Sequence, residues 1–239
     1  MRLIKYLMIL ALICPVIQAS IQQAGGHEGG FANQPGTGIT ATSWGQGKIS
    51  ILSFDARSLP GEIRYQGKIV MGARWMDSNG ENILLLTQTG KFPSKGKCDS
   101  EGISCFDAEV YAYNYVRKDG DVYLLWKMTD YERGCSFDLY AGFVKDALFI
   151  TDLDSNGVAE SLLLYKVSCR SDVSPAVLKL IIHEGATKYA IRGTTKLPGD
   201  SGGGAMNMDP AFKQAKPVLR NFAVEKWNKY VTKDDFEQF

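Results

Sequence analysis

The nine residues "DLDSNGVAE", Asp152 to Glu160, set oxygen-bearing groups at alternate positions. These are the side chains of Asp152, Asp154 and Asn156, the backbone carbonyl of Val158 and the carboxylate of Glu160. A hard cation such as calcium takes about six to eight oxygen ligands, and alternate residues of a tight loop can turn them toward one centre while Gly157 permits the bend. Calcium, held structurally, is the cofactor expected from this pattern. Metal-assisted catalysis would need an open coordination position facing a cleft, for which the stretch carries no signal. A related stretch, "WMDSNGENI", has Trp75 at the first position and Ile83 at the ninth. It has lost two ligands and is expected to be only a turn.

The spacing from Asp152 matches the first nine positions of an EF-hand loop, but Leu163 occupies the twelfth and both flanks read as strands. It therefore resembles the strand-loop-strand calcium loops of integrin-type and related bacterial β-repeats, whose ninth position supplies the last carboxylate. A second stretch, "GDSGG" at Gly199 to Gly203, resembles trypsin-like proteases at those five residues and nowhere else. A nucleophilic serine needs a base within hydrogen-bond reach, held by a third group. The two histidines are His27, in a glycine-rich stretch, and His183, at the end of an expected strand 18 residues before Ser201. No "AAHC"-like element precedes them. Ser201 is therefore read as part of a loop, no catalytic residue is assigned, and serine-protease activity is not expected.

The elements that must position the loop are strands. Beyond residue 47, apolar and aromatic residues alternate or cluster in short runs bounded by Gly, Asp, Asn and Lys, the pattern of a half-buried sheet. The expected strands are 49–54, 68–75, 82–88, 109–117, 122–129, 136–142, 147–151, 161–168, 177–183 and 188–192, with hairpin turns at "RKDGD" and "HEGAT". Two halves of this region resemble each other. Asp77 aligns with Asp154 and Gly120 with Gly185, the first half carrying extra residues around Cys98 and Cys105. The expected fold is mainly β: two tandem antiparallel meanders, arranged as a sandwich or like propeller blades, with a C-terminal amphipathic helix over 210–231. In that helix Leu219, Phe222, Ala223, Trp227 and Tyr230 recur at three- and four-residue spacing, a core-facing stripe.

The chain of 239 residues opens with Arg2 and Lys5, an apolar run from Leu7 to Ile13, and a small residue at Ala19. This reads as a signal peptide over 1–19, with Ala24 as the alternative cleavage point. The expected location is the periplasm or the exterior, with no membrane span and no lipid on Cys14, which lacks the small residue a lipobox needs before it. Residues 20–47 read as a flexible Gly-rich segment and 48–239 as a single β-rich domain. Cleavage after Ala24 would expose Gly25, Gly26 and His27 as an amine, amide and imidazole chelator of Cu(II) or Ni(II). With 27 basic and 26 acidic residues the formal charge is +1, so neither nucleic acid nor an anionic membrane is implied as a partner. Cys98, Cys105, Cys135 and Cys169 suggest two disulfides in an exported chain. Three pairings are open, of which Cys98 with Cys105 is the most local.

The stretch "YKVSCRSDVSP", Tyr165 to Pro175, joined to "LKLIIHEGATKYAIRG", is similar to a family of exported bacterial proteins, some labelled surface polysaccharide biosynthesis proteins. The resemblance runs from about Phe149 to Gly193. It implies an envelope location and a connection with surface polysaccharide, and it carries over no catalytic residues. Arg170 and Asp172 are expected to form a salt bridge that orders the loop beside a Cys135 to Cys169 disulfide, or to touch a ligand. Three functional classes follow. The first is a calcium-stapled envelope module that binds glycan or a partner protein. Trp44, Trp75, Trp126, Tyr111, Tyr113 and Tyr115 are its stock for sugar stacking, and the three tyrosines share one strand face as a ligand surface or a helix-covered core. The second is a glycan-active hydrolase using Asp130 with Glu132 or Asp107 with Glu109. The third is an inhibitor or interaction protein docking through the Cys98 to Cys105 loop.

Overall fold

A computed structural model describes residues 49–96, 98, 104–199 and 202–233, all within the unit Pro35–Phe239. The expected leader, the glycine-rich segment with His27 and Trp44, and Ser201 lie outside the described residues.

The strands are β1 (Ser50–Leu52), β2 (Lys68–Asp77), β3 (Gly80–Gln88), β4 (Phe92–Pro93), β5 (Phe106–Lys118), β6 (Asp121–Cys135), β7 (Asp138–Thr151), β8 (Glu160–Arg170), β9 (Val177–Glu184), β10 (Thr187–Thr194) and β11 (Met206–Met208), followed by a helix, α1 (Pro217–Tyr230). One sheet runs β1-β2-β3-β5-β4 with β6 also on β5, and the other runs β11-β10-β9-β8-β7. Every pairing is antiparallel. The two meanders are thus β2-β3-β5-β6 and β7-β8-β9-β10, one per sheet, packed as a sandwich.

Strand periodicity sorts the residues of each sheet onto two faces. On β3 and β5, Leu84, Leu86, Val110 and Ala112 face the other sheet and join Phe143, Leu163, Tyr165 and Val167 in the shared core. On the opposite face of β8 and β9, Leu162, Leu164, Leu180 and Ile182 pack on Leu219, Ala223, Trp227 and Tyr230 of α1. The second sheet is therefore apolar on both faces because it is covered on both.

The first sheet is covered too, and this corrects the expectation of a tyrosine ligand surface. Tyr111, Tyr113 and Tyr115 are 4%, 3% and 7% exposed, packed with Ile83 and Leu85 beneath Phe54, Leu59 and Ile63. Their cover is the irregular stretch between β1 and β2, not a helix. It has no strand partner for its amides, and the tyrosine hydroxyls supply one. Tyr115 donates to the Arg64 carbonyl at 2.6 Å and accepts from the Arg64 amide at 3.2 Å, and Tyr113 accepts from the Gln66 amide at 3.1 Å. A buried backbone left unpaired is costly, which explains tyrosine here in place of phenylalanine. Trp75 and Trp126 are also core residues, so neither is free to stack on sugar.

The elements differ from the sequence reading in three respects. The helix begins at Pro217, preceded by a separate 3-10 turn, Pro210–Lys213. Proline disfavours the helical conformation in the residue before it, and Lys216 accordingly sits at φ −56°, ψ 142°. The runs 136–142 and 147–151 form one strand, β7, whose register with β8 shifts between Phe143 and Leu148, where Asp146 takes φ 57°. The short strands β4 and β11 carry no pattern long enough to read.

Candidate metal centre

The loop from Asp152 to Glu160 joins β7 to β8 at one end of the second sheet. Its bend uses positive φ at Ser155 and Gly157, and the backbone is pinned by its own acidic side chains. The Asp152 carboxylate accepts from the Gly157 amide through Oδ2 at 3.1 Å. Asp154 accepts from the Asn156 amide through Oδ1 at 3.1 Å. Glu160 accepts through Oε2 from the Leu153 amide at 3.0 Å and the Thr151 hydroxyl at 2.8 Å. Asp152 and Glu160 therefore spend one oxygen on the loop and keep the other, whereas Asp154 uses both, Oδ2 accepting from Asn156 Nδ2 at 3.3 Å.

One carboxylate oxygen from each of Asp152, Asp154 and Glu160 lies within 4.8 Å of the others, a group that can hold a metal ion. Asp152 and Glu160 are 2% and 1% exposed, and Asp152 Oδ1 and Glu160 Oε1 are buried with no hydrogen-bond partner. Two acceptors in that condition are expensive, and a cation among them would satisfy both. Burial pushes the Glu160 carboxyl up to about 7, against the two hydrogen bonds it accepts, with the Asp154 charge adding to the rise. Asn156, another expected ligand, is turned to the loop and to the neighbouring strand. Asn156 Oδ1 accepts from the Val158 amide at 2.8 Å, and its Nδ2 donates to Glu184 at 2.5 Å and to Asp154 at 3.3 Å.

Three further residues complete the site and were not legible from the motif. Glu184, the last residue of β9, is the register partner of Glu160. Lys216, just before α1, makes an ion pair with Asp154 Oδ2. The third is Asp77, in the turn of the first half that has lost its ligands. Its Oδ2 accepts from the Ala159 amide at 3.1 Å and from Trp75 Nε1 at 3.0 Å, and its Oδ1 from the Asn79 amide at 2.8 Å. The neighbouring Ser78 amide donates to the Gly157 carbonyl at 2.8 Å. The corresponding turns of the two meanders thus meet, and the one without the acidic cluster braces the one that carries it. Strand pairing would have pointed to Glu184; only the packing of the sheets reveals Asp77 and Lys216.

The other expected residues lie apart from this centre. Disulfides join Cys98 to Cys105 and Cys135 to Cys169, a feature compatible with an exported protein. Arg170 donates to the Ser174 carbonyl and so braces the loop after β8; Asp172 is exposed on that loop. Three of the four carboxylates considered for hydrolysis are held by cations. Asp107 and Glu109 share Arg133, and Asp130 pairs with Lys179. No helix among the described residues is long and apolar enough to cross a membrane. No protein-family model, curated protein or solved structure matches the chain.

Proposed function

We propose that the chain is an exported binding module of the bacterial cell envelope, stapled by one calcium ion at Asp152, Asp154 and Glu160 and connected with surface polysaccharide. The observation that carries this reading is the pair of buried acceptors without donors, Asp152 Oδ1 and Glu160 Oε1. All-oxygen, carboxylate-rich donors suit a hard cation, and calcium is abundant outside the cell. Two disulfides and the leader-like opening favour export. The ion sits at the end of a rigid sheet beside packed strands, a place suited to holding structure. A contact with glycan would fall to exposed rings such as Tyr65, Tyr123, Tyr131 and Phe137, since the tyrosine face of β5 is covered.

The test is calorimetric titration of calcium into chelator-stripped protein, with Asp152→Ala as control. Saturable heat that the variant abolishes, with a higher melting temperature in excess ion, is the expected result. Ligand that binds only the folded state at about a hundred times Kd adds about 2.7 kcal/mol. Absence of both signals would reduce the loop to a hairpin connection.

A further inference from the structure

Each carboxylate of the loop keeps one oxygen off the loop backbone, yet the three retained oxygens are not alike. Asp152 Oδ1 and Glu160 Oε1 have no partner, whereas Asp154 Oδ2 is taken by Lys216 Nζ. The Asp154 carboxylate is 4% exposed and the lysine side chain 58%, so a solvent-reaching ammonium is laid onto a buried acid. The charges of Glu184 and Glu160 also attract this ammonium. An ammonium only donates, is singly charged, and here reaches one of the three carboxylates; a divalent ion can take one oxygen from each of the three at once. The two cations compete for one carboxylate, since Asp154 already accepts from Asn156 through both oxygens and the ammonium adds to Oδ2.

Lys216 also belongs to the helix. It is the residue before Pro217, and its carbonyl accepts from the Leu219 amide at 3.1 Å and the Arg220 amide at 3.4 Å, closing the first turn of α1. We propose that Lys216 is a built-in competitor of the metal ion: its ammonium holds Asp154 while the centre is empty, and ion binding displaces it and frees the start of α1. This rests on the loop being a metal site. The residue sets how tightly the ion binds and makes the first turn of the helix a reporter of occupancy.

The experiment compares calcium affinity in the wild type, in Lys216→Met and in Lys213→Met, which removes an equal charge three residues earlier. Lys216→Met keeps the alkyl stem and removes only the charged tip of a largely exposed side chain. It should tighten calcium binding about three- to tenfold, and Lys213→Met should do markedly less. Hydrogen exchange supplies a second readout. Calcium should speed exchange at the amides of Leu219 and Arg220 in the wild type and leave them unchanged in Lys216→Met. Equal affinity in all three proteins, equal tightening by both variants, or weaker binding by Lys216→Met would each overturn the competitor role while leaving the metal site standing. No binding by any of the three would remove the site itself.

Discussion

Asp77 accepts hydrogen bonds from Ala159, Trp75 and Asn79, so a residue without a ligand's role fixes the loop that has one. Asp77→Ala should cost about 1–3 kcal/mol in urea unfolding through donors left unpaired, and should weaken calcium binding because Ala159 lies beside Glu160. Unchanged affinity would show that the brace and the loop are independent. His183 makes a different prediction. Its ring lies on Trp126 with centroids 3.9 Å apart, and burial drives its pKa down from 6.5 to about 3, with the Lys188 charge adding to the fall. The unfolded chain takes up a proton near pH 6.5 and the folded chain does not. The stabilisation is therefore complete above pH 6.5 and lost as pH falls toward 3, at up to about 1.4 kcal/mol per unit. His183→Phe keeps an aromatic ring on Trp126 and removes the proton, so its stability should decline less steeply across that window. Parallel profiles for the two proteins would assign the acid limb elsewhere. At this scale the spacing from Asp152 named the clustered acids, since side chains six or eight residues along one tight loop must converge. It was silent on Asp77 and Lys216, whose contacts depend on elements distant in the chain.

The cover over β5 depends on Gly72 as well as on the tyrosine hydroxyls. A Cβ at Gly72 would fall 2.2 Å from the Phe54 ring, so glycine is the residue that lets this ring approach β2. Gly72→Ala should expel Phe54, cost about 1–3 kcal/mol by overpacking, and open Tyr113 to nitration by tetranitromethane, read by mass spectrometry. Protection equal to the wild type would mean that the cover is held by its hydrogen bonds alone. On the other sheet, Trp227 of α1 is 2% exposed, and Trp227→Ala should cost about 3–5 kcal/mol in denaturant unfolding. The strands and the helix were legible because alternation and three-to-four spacing are local signals. The cover was not, since the segment between β1 and β2 has no period, and a face of tyrosines reads the same whether it meets solvent or an irregular chain.

The two meanders share one core, and only the short connection between β6 and β7 carries the chain from one to the other. The tandem repeat announced this division, since "DSNG" occurs in both halves at equivalent turns; which faces would meet depended on burial that no single strand encodes. The two disulfides sit differently in this plan. Cys98 and Cys105 are separated by 7 residues within the first half, while Cys135 and Cys169 are separated by 34 and tie β6 to β8. In the chain-entropy view the longer loop restricts the unfolded state more, so replacing Cys135 and Cys169 by Ala should destabilise by about 1 kcal/mol more than replacing Cys98 and Cys105. Matched denaturation curves for the two double variants would refute that ordering. The connection itself is two residues, Ser136 and Phe137, the latter 57% exposed. A protease that cuts after Phe137 would sever the only backbone link between the halves, yet Cys135 lies before the cut and Cys169 after it. The nicked protein would stay a covalent two-chain molecule, running at full mass without reductant and falling into two fragments with it.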